Sequence, residues 1–188
     1  PLINGRPSPL AIAESDNLDR RNNIFGNIYA EIDFPFVKGL MYKINFYNNY
    51  RTTRLYYFYP YSQNFQGEGA KNYAHWYDLS SDNILSYKRR FNAHQVDATL
   101  VYGFEKRKND FTNNQSSVFV NPVLGYNRLQ AGSSELQQVN SGAWKETSIY
   151  TMARLFYSFK DKYMFTGTVR RDGFSGFSEE YKFGVFPS

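Results

Sequence analysis

The sequence has no cysteine and only two histidines, His75 and His94, among its 188 residues. The absence of thiols excludes disulfides, a cysteine nucleophile and Cys-ligated zinc or iron centres. Two histidines are too few for the usual zinc-hydrolase sites. We therefore expect neither a metal nor another cofactor.

Long apolar runs are also missing. No stretch approaches the roughly 18 apolar residues that a membrane helix needs, so any membrane crossing must use strands. The first residues, Pro1 to Arg6, have no initiator Met and no basic segment followed by an apolar one. We expect no signal peptide here, as in a mature exported protein or a fragment of one.

Catalytic and nucleic-acid signatures are equally scarce. Gly67 to Lys71 lacks the glycine spacing and the Ser or Thr of a phosphate-binding loop, and is interpreted as a flexible loop. Glu179 and Glu180 are adjacent, so on a strand they point to opposite faces and make a poor acid and base pair. The net charge is +5, but the basic residues are scattered. We predict that the chain is not an enzyme and binds no nucleic acid.

Aromatic residues are abundant. The chain has 17 Tyr, 17 Phe and 2 Trp, although hydrophobic residues reach only 41% and mean hydropathy is −0.61. A transmembrane β-barrel has this composition because it alternates lipid-facing with lumen-facing residues and adds aromatic girdles. A secreted sugar-binding module with exposed rings has it too, and composition alone does not separate the two classes.

Apolar and polar residues alternate with period two in several segments of about ten residues. In the first, Ile24, Ile28 and Ile32 share one face, while Glu31 and Asp33 share the other. The pattern predicts seven strands, which cover 24–34, 40–49, 83–91, 95–105, 147–159, 163–171 and a last one from Tyr181.

Connections between these strands alternate in length. Short turns are predicted near 35–39, 92–94 and 160–162, and long polar loops over 51–82 and 106–146. Outer-membrane barrels combine short periplasmic turns with long extracellular loops, whereas loops of more than about 15 residues are uncommon in a soluble sandwich. Aromatic residues flank the short turns as an interfacial girdle would: Phe34, Phe36, Phe91, Phe159 and Tyr163.

Sequence motifs agree with this architecture. The run Tyr163 to Ser175, which contains Arg170-Arg171-Asp172-Gly173, is followed by Tyr181 to Ser188, which ends in Gly-Val-Phe-Pro-Ser. Both resemble a signature of the SusC/RagA family of TonB-dependent transporters. Further segments resemble family patterns in the same order: Ser8–Ala11, Phe25–Asn27, Val37–Leu40, Leu124–Leu129 and Arg154–Tyr163. Departures from the family pattern at Ser8, Phe174 and Gly176 are expected to lie in loops.

The resemblance implies that residues 1–188 are an internal part of a transmembrane barrel of about 22 antiparallel strands, of which about seven are present. It places the chain, as a multi-pass protein, in the outer membrane of a Gram-negative, Bacteroidetes-like bacterium. It also implies import of oligosaccharides or peptides, energy from the TonB complex, and a SusD-like lipoprotein partner. The family's plug domain and TonB-contacting segment are expected outside this chain.

Candidate ligand-contact or partner-contact residues are aromatic. They lie in one predicted loop: Tyr57, Tyr59 and Tyr61, with His75, Trp76 and Tyr77 further along it. Tyr and Trp are chosen because they offer large amphipathic surfaces on which sugars stack. The alternative is that these residues only pack the loop or an interface with the lipoprotein. A set of charges is predicted to face the barrel lumen, where they satisfy one another or water or hold the plug, and they are not expected to define specificity: Glu31, Asp33, Lys43, Asp97, Arg154 and Arg170. A secreted soluble carbohydrate-binding module remains the alternative function.

Overall fold

The computed structural model describes residues 2–3, 6–7, 13–60 and 67–188. In this described part the fold is all-β, with three short 3₁₀ helices, Gly125–Ala131, Ser134–Leu136 and Glu179–Tyr181. Two short strands, β1 and β2, pair with each other, and seven further strands form one sheet in chain order. The strands are β1 (Leu2–Ile3), β2 (Arg6–Pro7), β3 (Asp16–Asp33), β4 (Leu40–Tyr59), β5 (Glu68–Phe91), β6 (His94–Ser117), β7 (Gln138–Phe159), β8 (Tyr163–Phe174) and β9 (Phe183–Pro187).

Strand register confirms the predicted division into two faces. In the antiparallel pair of β7 and β8, Ala153 lies opposite Val169 and Tyr157 lies opposite Phe165, while Arg154 lies opposite Thr168. Because successive side chains of a strand point to opposite faces, the apolar residues share one face and the arginine shares the other. The predicted all-β, antiparallel fold class is thus confirmed.

The apolar face is exposed to an unusual degree. Ile24 is 70% exposed, Ile28 75% and Phe165 60%, whereas the buried apolar residues of the described chain are only Phe58, Ala70 and Phe119. A soluble β-sandwich buries its apolar faces between two sheets. This sheet has no second layer among the described residues, so its apolar face requires another apolar medium.

The predicted long loops need correction. Strands β4 to β7 continue through most of 51–82 and 106–146, which leaves connections of only 60–67 and 118–137. The strands were predicted to end where alternation ends. Backbone hydrogen bonds between strands do not depend on side-chain polarity, however. Apolar and polar residues alternate only where one face of the strand is apolar and the other is polar.

Two compact units divide the chain, and each strand from β3 to β7 contributes to both. The first unit contains Tyr50–Trp76 and Asn109–Trp144 together with the described part of Pro1–Ile24. The second contains Phe25–Asn49, Tyr77–Lys108 and Lys145–Ser188, and therefore holds all the short turns. These turns occupy 34–39, 92–93 and 160–162, close to the predicted positions.

Candidate functional site

A cluster of two tyrosines, one carboxylate and one amide lies in the first unit, where β4 ends and β5 begins. The rings of Tyr57 and Tyr59 are 5.0 Å apart, centroid to centroid. The Tyr57 hydroxyl donates to Glu68 Oε1 at 3.3 Å, and Gln115 Nε2 donates to the same oxygen at 3.0 Å. These four residues are called the Tyr57 cluster below.

Electrostatics keep Tyr57 in its neutral form. Burial raises the pKa of its hydroxyl above the ordinary 10.0, and the negative charge of Glu68 and the hydrogen bond to it raise the pKa further. A neutral hydroxyl beside a carboxylate is a stable donor at physiological pH. The cluster therefore offers an aromatic surface, a fixed negative charge and an amide, which suit the hydroxyl groups of sugars and the amides of peptides.

The small apolar core of the first unit supports the Tyr57 cluster. Phe58, adjacent to Tyr57, packs edge to face on Phe119 with centroids 5.0 Å apart. Gly67 has a φ of +71°, a conformation that favours glycine, and a Cβ there would lie 3.4 Å from both Phe58 and Phe119. The Val118 amide donates to the Gly67 carbonyl at 3.0 Å, which joins the two connections at this core.

A second aromatic group lies further along β4 and β5. The Arg51 guanidinium is 5.6 Å from the centroid of the Trp76 ring. His75 is adjacent to Trp76 and therefore faces the other side of the strand. There its ring lies 6.2 Å from that of Tyr50 and 6.1 Å from that of Tyr73, with Nδ1 4.0 Å from Asp110 Oδ1.

The structure brings only some of the predicted candidates together. Tyr57 and Tyr59 share a cluster, but Tyr50, the neighbour of His75, is seven residues earlier on β4, a separation of about 23 Å along a strand. Tyr77 belongs to the second unit, where its hydroxyl accepts a hydrogen bond from Asn48 Nδ2 at 2.9 Å. Tyr61 lies outside the described residues.

Several residues of the first unit were missed by the sequence prediction. Glu68 and Lys71 were assigned to a flexible loop, but both lie in β5. Lys71 Nζ is 5.2 Å from the ring centroid of Tyr56 and 5.8 Å from that of Tyr126. Beside Lys71 is a cavity of about 280 Å³ that is rich in amides: Asn114, Gln115, Asn127, Gln130, Gln137 and Gln138. The clustering of Asn and Gln in the second connection was the available signal.

Ion pairs join some charges of the second unit, and one of these pairs, Lys43 with Glu31, lies within the set predicted for the lumen face. Lys43 Nζ is 2.8 Å from Glu31 Oε1, and Arg170 Nε is 2.8 Å from Asp172 Oδ1. The Tyr150 hydroxyl donates to Asp82. Nothing in these contacts marks one residue as a specificity determinant.

One exposed apolar face, one polar face with ion pairs and short turns between long antiparallel strands are the features of a transmembrane β-barrel wall. The chain is therefore part of such a wall, as predicted. Among the described residues, no helix has the length and apolar character needed to cross a membrane.

Known proteins of similar sequence are TonB-dependent receptors. The chain is 29% identical over 187 residues, 96% of its length, to TonB-dependent receptor P3 of Formosa agariphila. It is 27% identical over 193 residues, 98% of its length, to TonB-dependent receptor SusC of Bacteroides thetaiotaomicron. The chain spans 18% of the length of each of these two relatives. No family model matches the sequence.

Solved structures of similar fold include those of a peptide transporter, RagAB. One matches 95% of this chain and 20% of its own with a TM-score of 0.84 at 19% identity. Another, the importer in an open-open state, matches with a TM-score of 0.83 at 20% identity. The resemblance to SusC/RagA-type TonB-dependent transporters is thus confirmed. The relatives are named receptors and transporters, which agrees with the predictions of a non-enzymatic chain and of an outer-membrane location.

Proposed function

We propose that the chain forms part of the barrel of a SusC-like importer, which takes up oligosaccharides or peptides across the outer membrane. In this proposal the TonB complex supplies the energy, and a SusD-like lipoprotein captures substrate at the cell surface. Support comes from the similarity to named TonB-dependent receptors, which covers 96% of the chain.

The exposed apolar face carries the proposal. Leu100 is 53% exposed and Ile28 75% exposed on strands whose opposite face holds paired charges. In a secreted carbohydrate-binding module these side chains would stay in water. The fold would then lack the stabilisation of about 25 cal/mol that each Å² of buried apolar surface contributes. Lipid contact resolves this cost, since the bilayer interior is as apolar as the side chains.

In this proposal the short turns are periplasmic and the connection 118–137 is extracellular. The Tyr57 cluster, next to that connection, then lies toward the cell surface, where substrate or the lipoprotein arrives. His75, Trp76 and Tyr77 are retained as further contact candidates, and Tyr61 as one outside the described residues. Packing of the connections is the alternative role for all of them.

Accessibility labelling tests the proposed location and orientation. Val123 is 83% exposed in the connection 118–137, and Asn92 lies in the short turn 92–93. In the full-length protein, with any cysteine outside these residues replaced, we expect a membrane-impermeant maleimide to label Val123→Cys on intact cells. Asn92→Cys, the matched control, should react only after the outer membrane is permeabilised. Recovery of the protein in the culture medium would refute the importer and favour the secreted module.

A further inference from the structure

Three cations stack on aromatic rings at the short-turn end of the second unit. The Arg89 guanidinium is 4.6 Å from the ring centroid of Phe91. Lys160 Nζ is 5.4 Å from that of Phe159, and Lys162 Nζ is 5.6 Å from that of Tyr163. The three cations with their three rings are called the turn-end cluster below.

Direct contacts hold the two turns of this cluster side by side. Arg90 forms an ion pair with Asp161, and the Lys160 amide donates to the Ala93 carbonyl at 2.7 Å. Arg89 precedes Arg90, and Lys160 and Lys162 flank Asp161, so the ion pair holds side by side the two turns that carry the stacked cations. The ring of His94 also packs on Phe159, with centroids 4.8 Å apart.

Positive charge at the turn-end cluster is not compensated. The carboxylate of Asp161 is engaged by Arg90. In the described part of the chain, no ion pair within 4.0 Å reaches Arg89, Lys160 or Lys162. All three side chains are exposed. The cluster therefore attracts an anion.

Register shows that the cluster borders the apolar face. Phe159 lies opposite Tyr163, and two residues along the same face Tyr157 lies opposite Phe165. Tyr163 is 62% exposed and Phe165 is 60% exposed. A ligand that fits both surfaces has an anionic head at the turns and an apolar body along the strands.

We propose that the turn-end cluster binds the headgroup phosphate of an anionic glycerophospholipid in the periplasmic leaflet. Arg89, Lys160 and Lys162 hold the phosphate, and the acyl chains lie over Tyr157 and Phe165. The stacked rings keep the cations at the membrane interface, where aromatic side chains are stable. The proposal rests on the proposed function, because that function places the turns at the periplasmic surface.

Lipid binding to the purified full-length protein tests this site. We compare the wild type with a triple variant, Arg89→Gln, Lys160→Gln and Lys162→Gln, using phosphatidylglycerol and phosphatidylethanolamine as probes and native mass spectrometry in detergent. Each cation near an anionic lipid contributes a factor of about five to binding. We expect the triple variant to bind phosphatidylglycerol at least about tenfold more weakly and to lose much less affinity for phosphatidylethanolamine, because the ammonium of that lipid offsets the charge of its phosphate.

A matched control removes the same charge elsewhere. Arg20→Gln, Lys108→Gln and Lys145→Gln change three exposed cations away from the short turns and should leave phosphatidylglycerol binding intact. Equal losses in the two triple variants, or equal losses of the two lipids, would overturn the site. If the first triple variant does not fold, Lys162→Gln alone should lose about fivefold in affinity, and an unchanged affinity contradicts the proposal.

The two proposals fail separately. The lipid measurement is made in detergent and does not depend on which side of the membrane the turns occupy. Loss of the lipid preference with correct surface labelling of Val123→Cys would remove the site but keep the importer. If Val123→Cys is not labelled on intact cells but the lipid preference is intact, the importer proposal is refuted, and the anionic-lipid site stands without it.

Discussion

At the scale of single residues, one glycine determines a turn. Gly39 has a φ of +88°, and a Cβ built on it would lie 2.0 Å from the carbonyl oxygen of Lys88. The Gly39 carbonyl also accepts a hydrogen bond from the Lys88 amide at 2.8 Å. The backbone of the turn meets the backbone of β5 here, so neither partner can move aside as a flexible side chain would.

We expect Gly39→Ala to destabilise the folded protein by about 1–3 kcal/mol, because the left-handed conformation and the backbone contact both oppose a Cβ. The measurement is the urea midpoint of the heat-modifiable, folded band of the full-length protein. Gly26→Ala is the matched control, since a Cβ there meets nothing within 4 Å. It should change stability by less than about 0.5 kcal/mol. Equal effects of the two variants would contradict the turn geometry.

Ionisation of Tyr57 tests the Tyr57 cluster. Burial first, and then Glu68, raise the pKa of Tyr57 in the folded state. Folding therefore favours the neutral hydroxyl, and this contribution to stability is complete below about pH 10 and is lost as the pH rises through the folded pKa. Ligand contacts made by Tyr57 should accordingly not change between about pH 6 and 9.

Glu68→Gln should lower the pKa of Tyr57 while leaving it above the ordinary value of 10.0, because the effect of burial remains. Tyrosinate absorbance is followed against pH in the wild type and in Glu68→Gln, and again in each after Tyr57→Phe. The difference between the two titration curves with and without Tyr57 gives the titration of Tyr57 alone. Glu135→Gln, a change at an exposed glutamate outside the cluster, should leave the titration unaltered. A Tyr57 pKa that does not respond to Glu68→Gln would show that the two side chains are not in contact.

At the scale of elements, sequence reasoning located the turns better than the strand ends. Gly39, Asn92 and the Lys160-Asp161 pair all adopt positive φ, and each lies between segments of clear alternation. Turn residues and alternation are both local signals, so the sequence displays them directly. Prediction worked where one face of a strand is apolar and the other polar.

The same reasoning failed beyond the apolar band. β5 begins at Glu68 and β6 ends at Ser117. In the parts of these strands that the prediction missed, 68–82 and 106–117, both faces carry polar and aromatic residues. Hydrogen bonds between neighbouring backbones, rather than side-chain periodicity, extend these strands. Because such pairing is a property of two distant segments, one sequence does not reveal it.

The site was only partly predictable for a related reason. Aromatic composition drew attention to Tyr57 and Tyr59, which lie in one short run and whose rings the structure brings together. Two hydrogen bonds define the cluster. In them, Glu68 is 11 residues from Tyr57 in the sequence, and Gln115 is 47 residues from Glu68. Their selection requires the strand pairing, and without it Glu68 reads as a loop residue between two glycines.

At the scale of the whole molecule, the two faces of the sheet must meet different solvents. Among the residues that the structure describes, few apolar ones are buried, and many large apolar ones are exposed on strands that also carry ion pairs. Such a sheet is stable only if lipid covers one face and water reaches the other. The position of an arginine on one face or the other should therefore decide whether the barrel inserts.

Leu100 and Thr99 provide this comparison because they are adjacent on β6 and point to opposite faces. Leu100 is 53% exposed and lies six residues from the turn, about 20 Å along the strand, near the centre of the bilayer. Leu100→Arg should cost about 2–4 kcal/mol, the cost of a cation in the lipid midplane, whereas Thr99→Arg should cost less than about 1 kcal/mol.

The amount of folded, heat-modifiable protein in outer-membrane fractions measures both variants. We expect Leu100→Arg to reduce it strongly and Thr99→Arg to leave it near the wild-type level, since a hydrated lumen face already contains Lys43 and Arg170. In a soluble module the order would reverse or vanish, because an arginine on an exposed face is well solvated in water. Equal levels of the two variants would thus argue against lipid contact on the apolar face, which is the observation that carries the importer.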